Sequence, residues 1–198
     1  LLHLNILRNN TTCMKLSWSK RLFFSINTTV GKNKTRDKVM VFFGHYLIFL
    51  TCFFVALWLG SFLLEGNIAQ FWYGTIFLAF AGVLGVGLNW IIGFLFPHPR
   101  PIIDFPEKVK QLITPLGTWK TFPSDHTTVS FVIAFSLFFL LASVWVVVSF
   151  FLLALGISFG RVYVGVHYPK DILGGFVVAL FASVLALHVA EHILNFLF

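Results

Sequence analysis

Charge is what this sequence lacks most. Only 11% of its 198 residues are Asp, Glu, Lys or Arg, whereas 58% are hydrophobic. An ordinary soluble domain carries roughly 25% charged residues, so most of this chain is expected to live in lipid. Cysteine is scarce as well: Cys13 and Cys52 support neither a disulfide framework nor a cysteine-based zinc site. No short apolar stretch with a small-residue cleavage site precedes the first long apolar run. A secretory signal is therefore not recognised, and the later runs are expected to stay as spans. Met14 is a candidate natural start. The apolar part carries no linker, internal repeat or low-complexity tract, and it reads as one domain, residues 39–198, behind a polar, basic and partly interfacial segment, residues 1–38.

Crossing a membrane takes about 20 predominantly apolar residues. Five runs qualify: Val39 to Leu64, Ile68 to Phe96, Ser124 to Ala142, Val144 to about Gly160, and Asp171 to Phe198. The expected fold is thus all-α, a polytopic bundle of about five transmembrane helices. The third and fourth runs meet at Ser143 and must form a helical hairpin. Trp18 to Val30 mixes aromatic and aliphatic residues with Lys20 and Arg21, which suits a short interfacial helix or a partly ordered tail. Residues 97–123 hold six of the seven prolines, so this stretch is a connecting loop rather than helix. Long loops are often functional.

Three polar clusters interrupt the apolar background. Pro97-His98-Pro99-Arg100-Pro101 follows the second run, Phe122-Pro123-Ser124-Asp125-His126 opens the third, and Gly160-Arg161 with His167-Tyr168-Pro169-Lys170-Asp171 joins the fourth to the fifth. Ionisable groups beside membrane spans are costly and point to function. Because successive spans alternate in direction, all three clusters face one side of the bilayer. Taken singly, a His, Arg or Ser at a span boundary is more often an interfacial residue or a cap, and an arginine there can snorkel towards headgroups. Two arginines, two histidines and an Asp collected on one face are another matter.

Arg100 and Arg161 beside a helix N-terminus make an anion site, since guanidinium grips phosphate oxygens bidentately and free backbone N–H groups point the same way. Ser124 stands at an N-cap position, where its hydroxyl and the N–H groups of Asp125 and His126 are placed for phosphate oxygens. His167 and Asp171 are four residues apart, a spacing that lets the carboxylate orient the imidazole as a nucleophile. His126 is then the general acid for the departing oxygen.

These motifs resemble the type 2 phosphatidic acid phosphatase (PAP2) superfamily, with its signatures Lys-x6-Arg-Pro, Pro-Ser-Gly-His and Ser-Arg-x5-His-x3-Asp. The match lies in Arg100-Pro101, in Pro123-Ser124-Asp125-His126, and in Arg161, His167 and Asp171. The resemblance implies a phosphohistidine on His167 oriented by Asp171, with His126 as acid. It places Arg100, Ser124 and Arg161 around the phosphate, with no metal or other cofactor. Three positions depart from the pattern: Gly93 stands where the lysine is expected, Asp125 replaces a glycine, and Gly160 replaces a serine. Lys108, Lys110 and Lys120 are candidates to replace the missing cation, and Asp125 needs a partner or a proton beside a phosphate.

The Pro-Ser-Asp-His variant, the Pro-His-Pro-Arg-Pro string and Tyr163-Val164-Gly165-Val166-His167-Tyr168-Pro169 are similar to the bacterial bacitracin-resistance undecaprenyl-diphosphatases. That similarity implies removal of the terminal phosphate of undecaprenyl diphosphate, which recycles the carrier lipid for peptidoglycan synthesis and deprives bacitracin of its target. Phosphatidic acid and phosphatidylglycerol phosphate are alternative substrates. A lipid-phosphate binding or transport protein is the non-enzymatic alternative. His188-Val189-Ala190-Glu191-His192 spells a metallopeptidase-like string, but it lies at the far end of the fifth run, with no third ligand evident.

All 14 Lys and Arg residues fall on the side of the three clusters. The positive-inside rule would make that side cytoplasmic, whereas the resemblance implies the outer face of a bacterial plasma membrane, and the resemblance is followed. The net charge of +7 fits an anionic bilayer surface or lipid phosphate rather than nucleic acid.

Overall fold

The computed structural model describes residues 16–197 other than 116, 118 and 119, with side chains through residue 190. The expectations for Cys13 and Met14 lie outside those residues. Every regular element among them is helical: α1 (Trp18–Asn27), α2 (Lys34–Val41), a π-helical turn (Phe42–Tyr46), α3 (Leu47–Leu64), α4 (Ile68–Leu95), α5 (Pro101–Asp104), α6 (Asp125–Phe139), α7 (Val144–Tyr163) and α8 (Pro169–Leu197). The path from α2 through the π turn to α3 is continuous, so the first span runs Lys34–Leu64 and begins earlier than the apolar run suggests. It is joined by Ile68–Leu95, Val144–Tyr163 and Pro169–Ala190 as helices long and apolar enough to cross a membrane. The protein is a multi-pass membrane protein.

The third expected span differs. α6 has 15 residues, about 22 Å at 1.5 Å per residue, short of a bilayer core. It starts only after Ser124, and it ends where Leu141 adopts a left-handed φ of 55°. Backbone bonds from Leu140 to Ser136 and from Ala142 to Leu137 close that end. α6 tolerates its shortness because it is wrapped by neighbours: Thr127, Thr128, Ser130, Phe131, Val132, Ile133, Ala134, Ser136 and Leu137 are all buried.

One core cluster joins Phe77 and Ala81 of α4 to Phe131 and Val132 of α6, Ala154 of α7 and Ala179 and Ala186 of α8. A second joins Val55 of α3 to Ile133, Ala134 and Leu137 of α6 and Val147 and Phe150 of α7. Small residues at these contacts let helices approach closely, the usual basis of packing where lipid is as apolar as the core. Phe49, Phe53, Ile76, Trp90, Phe94, Leu152 and Val177 point outward and are exposed, as lipid-facing side chains do.

The π turn and α7 cross at backbone contact. A Cβ on Gly160 would lie 2.5 Å from the Gly44 nitrogen and 2.8 Å from its Cα. Two backbones therefore touch, which explains why glycine stands where the PAP2 signature has serine.

At the end where α4, α6, α7 and α8 present their polar clusters, α1 clamps the connecting loop. Its Asn27 exchanges hydrogen bonds with the backbone of Lys110, at 2.7 Å to the carbonyl and 2.9 Å from the N–H. Phe23 packs edge-on against Tyr168 at 5.2 Å, and Lys20 pairs with Asp104 at 3.0 Å. Gly165, at φ 85°, turns the chain out of α7, and a Cβ there would sit 2.6 Å from the Lys110 carbonyl; both facts require glycine.

Gly160→Ala forces a methyl group into the Gly44 backbone, which cannot swing aside as a side chain would. The variant is expected to lose about 1–3 kcal/mol, as overpacked cores do, read as a lowered thermal unfolding midpoint in detergent. An unchanged midpoint would mean that the crossing is looser than described.

Candidate active site

The site forms where four helix ends and two loops meet. Asp171 is the third residue of α8, after Pro169 at the first helical position, where a missing N–H costs nothing. Its Oδ2 accepts the Tyr168 N–H at 2.8 Å, the reach-back of a capping box. Asp171 is completely buried. Its backbone carbonyl accepts the Ser124 N–H at 3.1 Å, which ties the start of α6 to the start of α8.

His167 is buried just before α8. Its Nδ1 lies 3.6 Å from Asp171 Oδ2 and 3.1 Å from the hydroxyl of Thr121. Its Nε2 faces Arg100 Nη1 at 3.5 Å. Arg100 is held by two carbonyls, with Nε donating to Gly117 at 2.7 Å and Nη1 to Val166 at 3.0 Å. Burial lowers the pKa of Arg100, against the opposing pull of Asp125 and Asp171.

Arg161, at the end of α7, is buried and donates from Nη1 to the Gly44 carbonyl at 2.8 Å. Its Nε has no hydrogen-bond partner among the described residues, leaving a buried donor available to an anion. His126 lies within Coulombic reach of Arg161, His167, His45 and Arg100. Ser124 occupies the N-cap position of α6 without capping it through its side chain. Its hydroxyl instead accepts from Thr127 at 3.1 Å.

Asp125 has the partner that the sequence left unnamed. Lys120 Nζ lies 2.8 Å from its Oδ1, and Asn89 of α4 donates to the same oxygen at 3.0 Å. The Lys120 side chain runs across Gly93, where a Cβ would come within 2.5 Å of Lys120 Cδ. Glycine at the expected lysine position therefore opens the space through which a loop lysine enters. Lys108 is exposed, and Lys110 donates to the Val30 carbonyl at 3.0 Å.

The six core residues of the expected site thus converge, with Asp125 beside them. The sequence reading missed Asn89, Lys120 as the specific partner, Thr121 and His45. Asn89 offered a signal, as a buried amide in an apolar helix, and Thr121 offered none. His188 is on α8 some 19 residues beyond Pro169, about 28 Å along the axis; the side chains of Glu191 and His192 lie outside the described residues.

The sequence matches the PAP2 superfamily over residues 70–193. This chain belongs to the PAP2 superfamily. Undecaprenyl-diphosphatase BcrC of Bacillus subtilis is 32% identical over 161 residues, 80% of this chain and 77% of that protein. Among solved structures, Aquifex aeolicus LpxE superposes with a TM-score of 0.68 at 28% identity, over 88% of this chain and 97% of that one. The first transmembrane PAP2-type phosphatidylglycerolphosphate phosphatase from Bacillus subtilis gives 0.65 at 20% identity, over 91% and 90%, a likeness of fold. The PAP2 match begins at residue 70, so α1, the π turn with Gly44 and His45, and their grip on the site lie outside it.

Burial outweighs the raising effect of Asp171 and holds His167 down to about 4, against about 6.5 for a free imidazole. At pH 7 the ring is therefore neutral with a lone pair to offer, and it gains its proton only as pH falls through about 4. Ring NMR of histidine-labelled protein, assigned by loss of the signal in His167→Asn, is expected to give a midpoint near 4; a midpoint at or above 6.5 would contradict the buried, neutral state.

Proposed function

We propose that this PAP2 phosphatase is an undecaprenyl-diphosphatase that acts through a phosphohistidine on His167. One observation carries the chemistry: a buried imidazole has one nitrogen turned towards a buried arginine and the other towards Thr121 and Asp171. An anion binder without chemistry has no need of such an oriented imidazole. The substrate is supported by the similarity to BcrC and by the apolar outer faces of the helices, along which an isoprenoid tail can lie in lipid.

In the first step the Nε2 lone pair of His167 attacks the terminal phosphorus. The N–P bond forms as the bond to the bridging oxygen breaks, and His126 gives that oxygen a proton. His126 carries this proton because the diphosphate's negative charge beside it favours the imidazolium. In the second step His126 takes a proton from water as the water oxygen attacks phosphorus. The N–P bond then breaks, releasing inorganic phosphate and regenerating His167. Arg100, Arg161, Ser124 and the N–H groups at the start of α6 hold the phosphoryl oxygens, where charge accumulates in the transition state. Asp125 acts on this set through Lys120, whose ammonium it holds beside the site.

The site is proposed to face outward from a bacterial plasma membrane, where the spent carrier lipid is released, so the same reaction would confer bacitracin resistance.

Phosphate release from undecaprenyl diphosphate, phosphatidic acid and phosphatidylglycerol phosphate, measured in parallel with chelator present, tests this reading. Undecaprenyl diphosphate is expected to be fastest, and His167→Ala to lose at least about 1,000-fold, as removal of a nucleophile does. A tenfold preference for either phosphatidyl substrate would overturn the assignment of substrate, and full activity of His167→Ala would overturn the mechanism.

A further inference from the structure

Asp171 makes no direct hydrogen bond to His167. The separation of 3.6 Å between Oδ2 and Nδ1 is beyond a hydrogen bond. The hydroxyl of Thr121 lies beside both and contacts each, 2.7 Å from Oδ2 and 3.1 Å from Nδ1. Thr121 is fully buried, and its backbone N–H is anchored to the His98 carbonyl at 3.1 Å.

The proton positions follow from what each group can do. Arg100 has donors only, so His167 Nε2, facing its Nη1 at 3.5 Å, must present a lone pair. The ring proton is then on Nδ1 and needs an acceptor. Thr121 has one proton and two lone pairs, and its 2.7 Å contact to an acceptor-only carboxylate claims the proton. Its oxygen is thereby left to accept from Nδ1. A carboxylate, a hydroxyl and an imidazole form a chain with one consistent direction.

We infer that Thr121 is the positioning residue for the nucleophile of this reaction, transmitting the orienting effect of Asp171 to His167 through its hydroxyl. The inference rests on His167 being the nucleophile. As the N–P bond forms, the ring becomes cationic and Nδ1–H a stronger donor. The Thr121 oxygen receives that stronger bond while its own proton moves closer to Asp171, so the carboxylate stabilises the charge without taking a proton from the ring. Asp171 Oδ2 also holds the Tyr168 N–H, which keeps it from swinging directly to His167.

Thr121→Val keeps the shape and removes the hydroxyl, whereas Thr121→Ser keeps the hydroxyl. With undecaprenyl diphosphate, Thr121→Val is expected to lower kcat by about 100-fold, the scale of a misplaced reacting group, with KM changed less than about threefold. Thr121→Ser is expected to recover activity to within about threefold. Because Thr121 and Asp171 act as one chain, Thr121→Val added to Asp171→Asn should cost little beyond Asp171→Asn alone. Thr121→Val within twofold of the parent, or additive losses in the double variant, would overturn the inference. Thermal midpoints of all variants separate misfolding from lost orientation. If Thr121→Val folds poorly, Thr121→Ala, which also removes the hydroxyl, takes its place in the kcat comparison and in the double variant with Asp171→Asn, under the same criteria. His167→Ala separates the two claims: its inactivity with an intact Thr121→Val sinks only the relay, whereas its full activity sinks the nucleophile.

Discussion

The architecture turns on one buried carboxylate. Asp171 caps the start of α8 through the Tyr168 N–H, meets the Thr121 hydroxyl from the loop, and takes the Ser124 N–H on its backbone carbonyl. Burying a charge is costly unless it is hydrogen-bonded, and the Tyr168 N–H and the Thr121 hydroxyl meet that need at Oδ2, while the backbone bond from Ser124 ties α6 to the same residue. The same convergence sets His167 beside Arg100. Local helix capping and the geometry of the site are therefore one constraint, which places a titratable cluster at a helix end rather than in mid-membrane.

A second constraint is steric. The backbone contact between Gly44 and Gly160 brings the π turn against α7 and aims the Gly44 carbonyl at Arg161. π-helical turns are uncommon and cluster at functional sites. Here the turn fixes a guanidinium from outside the part of the chain that matches the PAP2 superfamily. Gly93 does similar service on the other side, where its missing side chain admits Lys120 to Asp125. Two departures from the family signature are thus spaces that another segment fills, and Asp125 is the group that the incoming lysine meets.

Much of this was legible in the sequence, because it rests on local signals. Apolar runs located the helices, prolines marked the loop, and span parity brought Arg100, Ser124, His126, Arg161, His167 and Asp171 to one face. What was not legible depends on side-chain paths through space. Thr121 is an ordinary threonine in a proline-rich loop, and nothing local shows that its hydroxyl contacts two residues about 50 positions away. Lys120 could not be chosen over Lys108 and Lys110 without knowing which one crosses Gly93. The length of α6 was overestimated because hydropathy continues through Leu140 to Ala142, whereas the backbone turns at Leu141. A helix surrounded by protein need not match the bilayer that its neighbours span.

The central claim is that phosphorus is passed to His167. Rapid quenching of the protein with undecaprenyl diphosphate labelled with radioactive phosphorus in its terminal phosphate tests it most directly. The account predicts a transient protein-bound label, stable in alkali and labile in acid as a phosphoramidate is, which maps to His167 and is absent from His167→Ala. A label that persists in His167→Ala, or phosphate release with no bound label at any time within the first turnover, would contradict it.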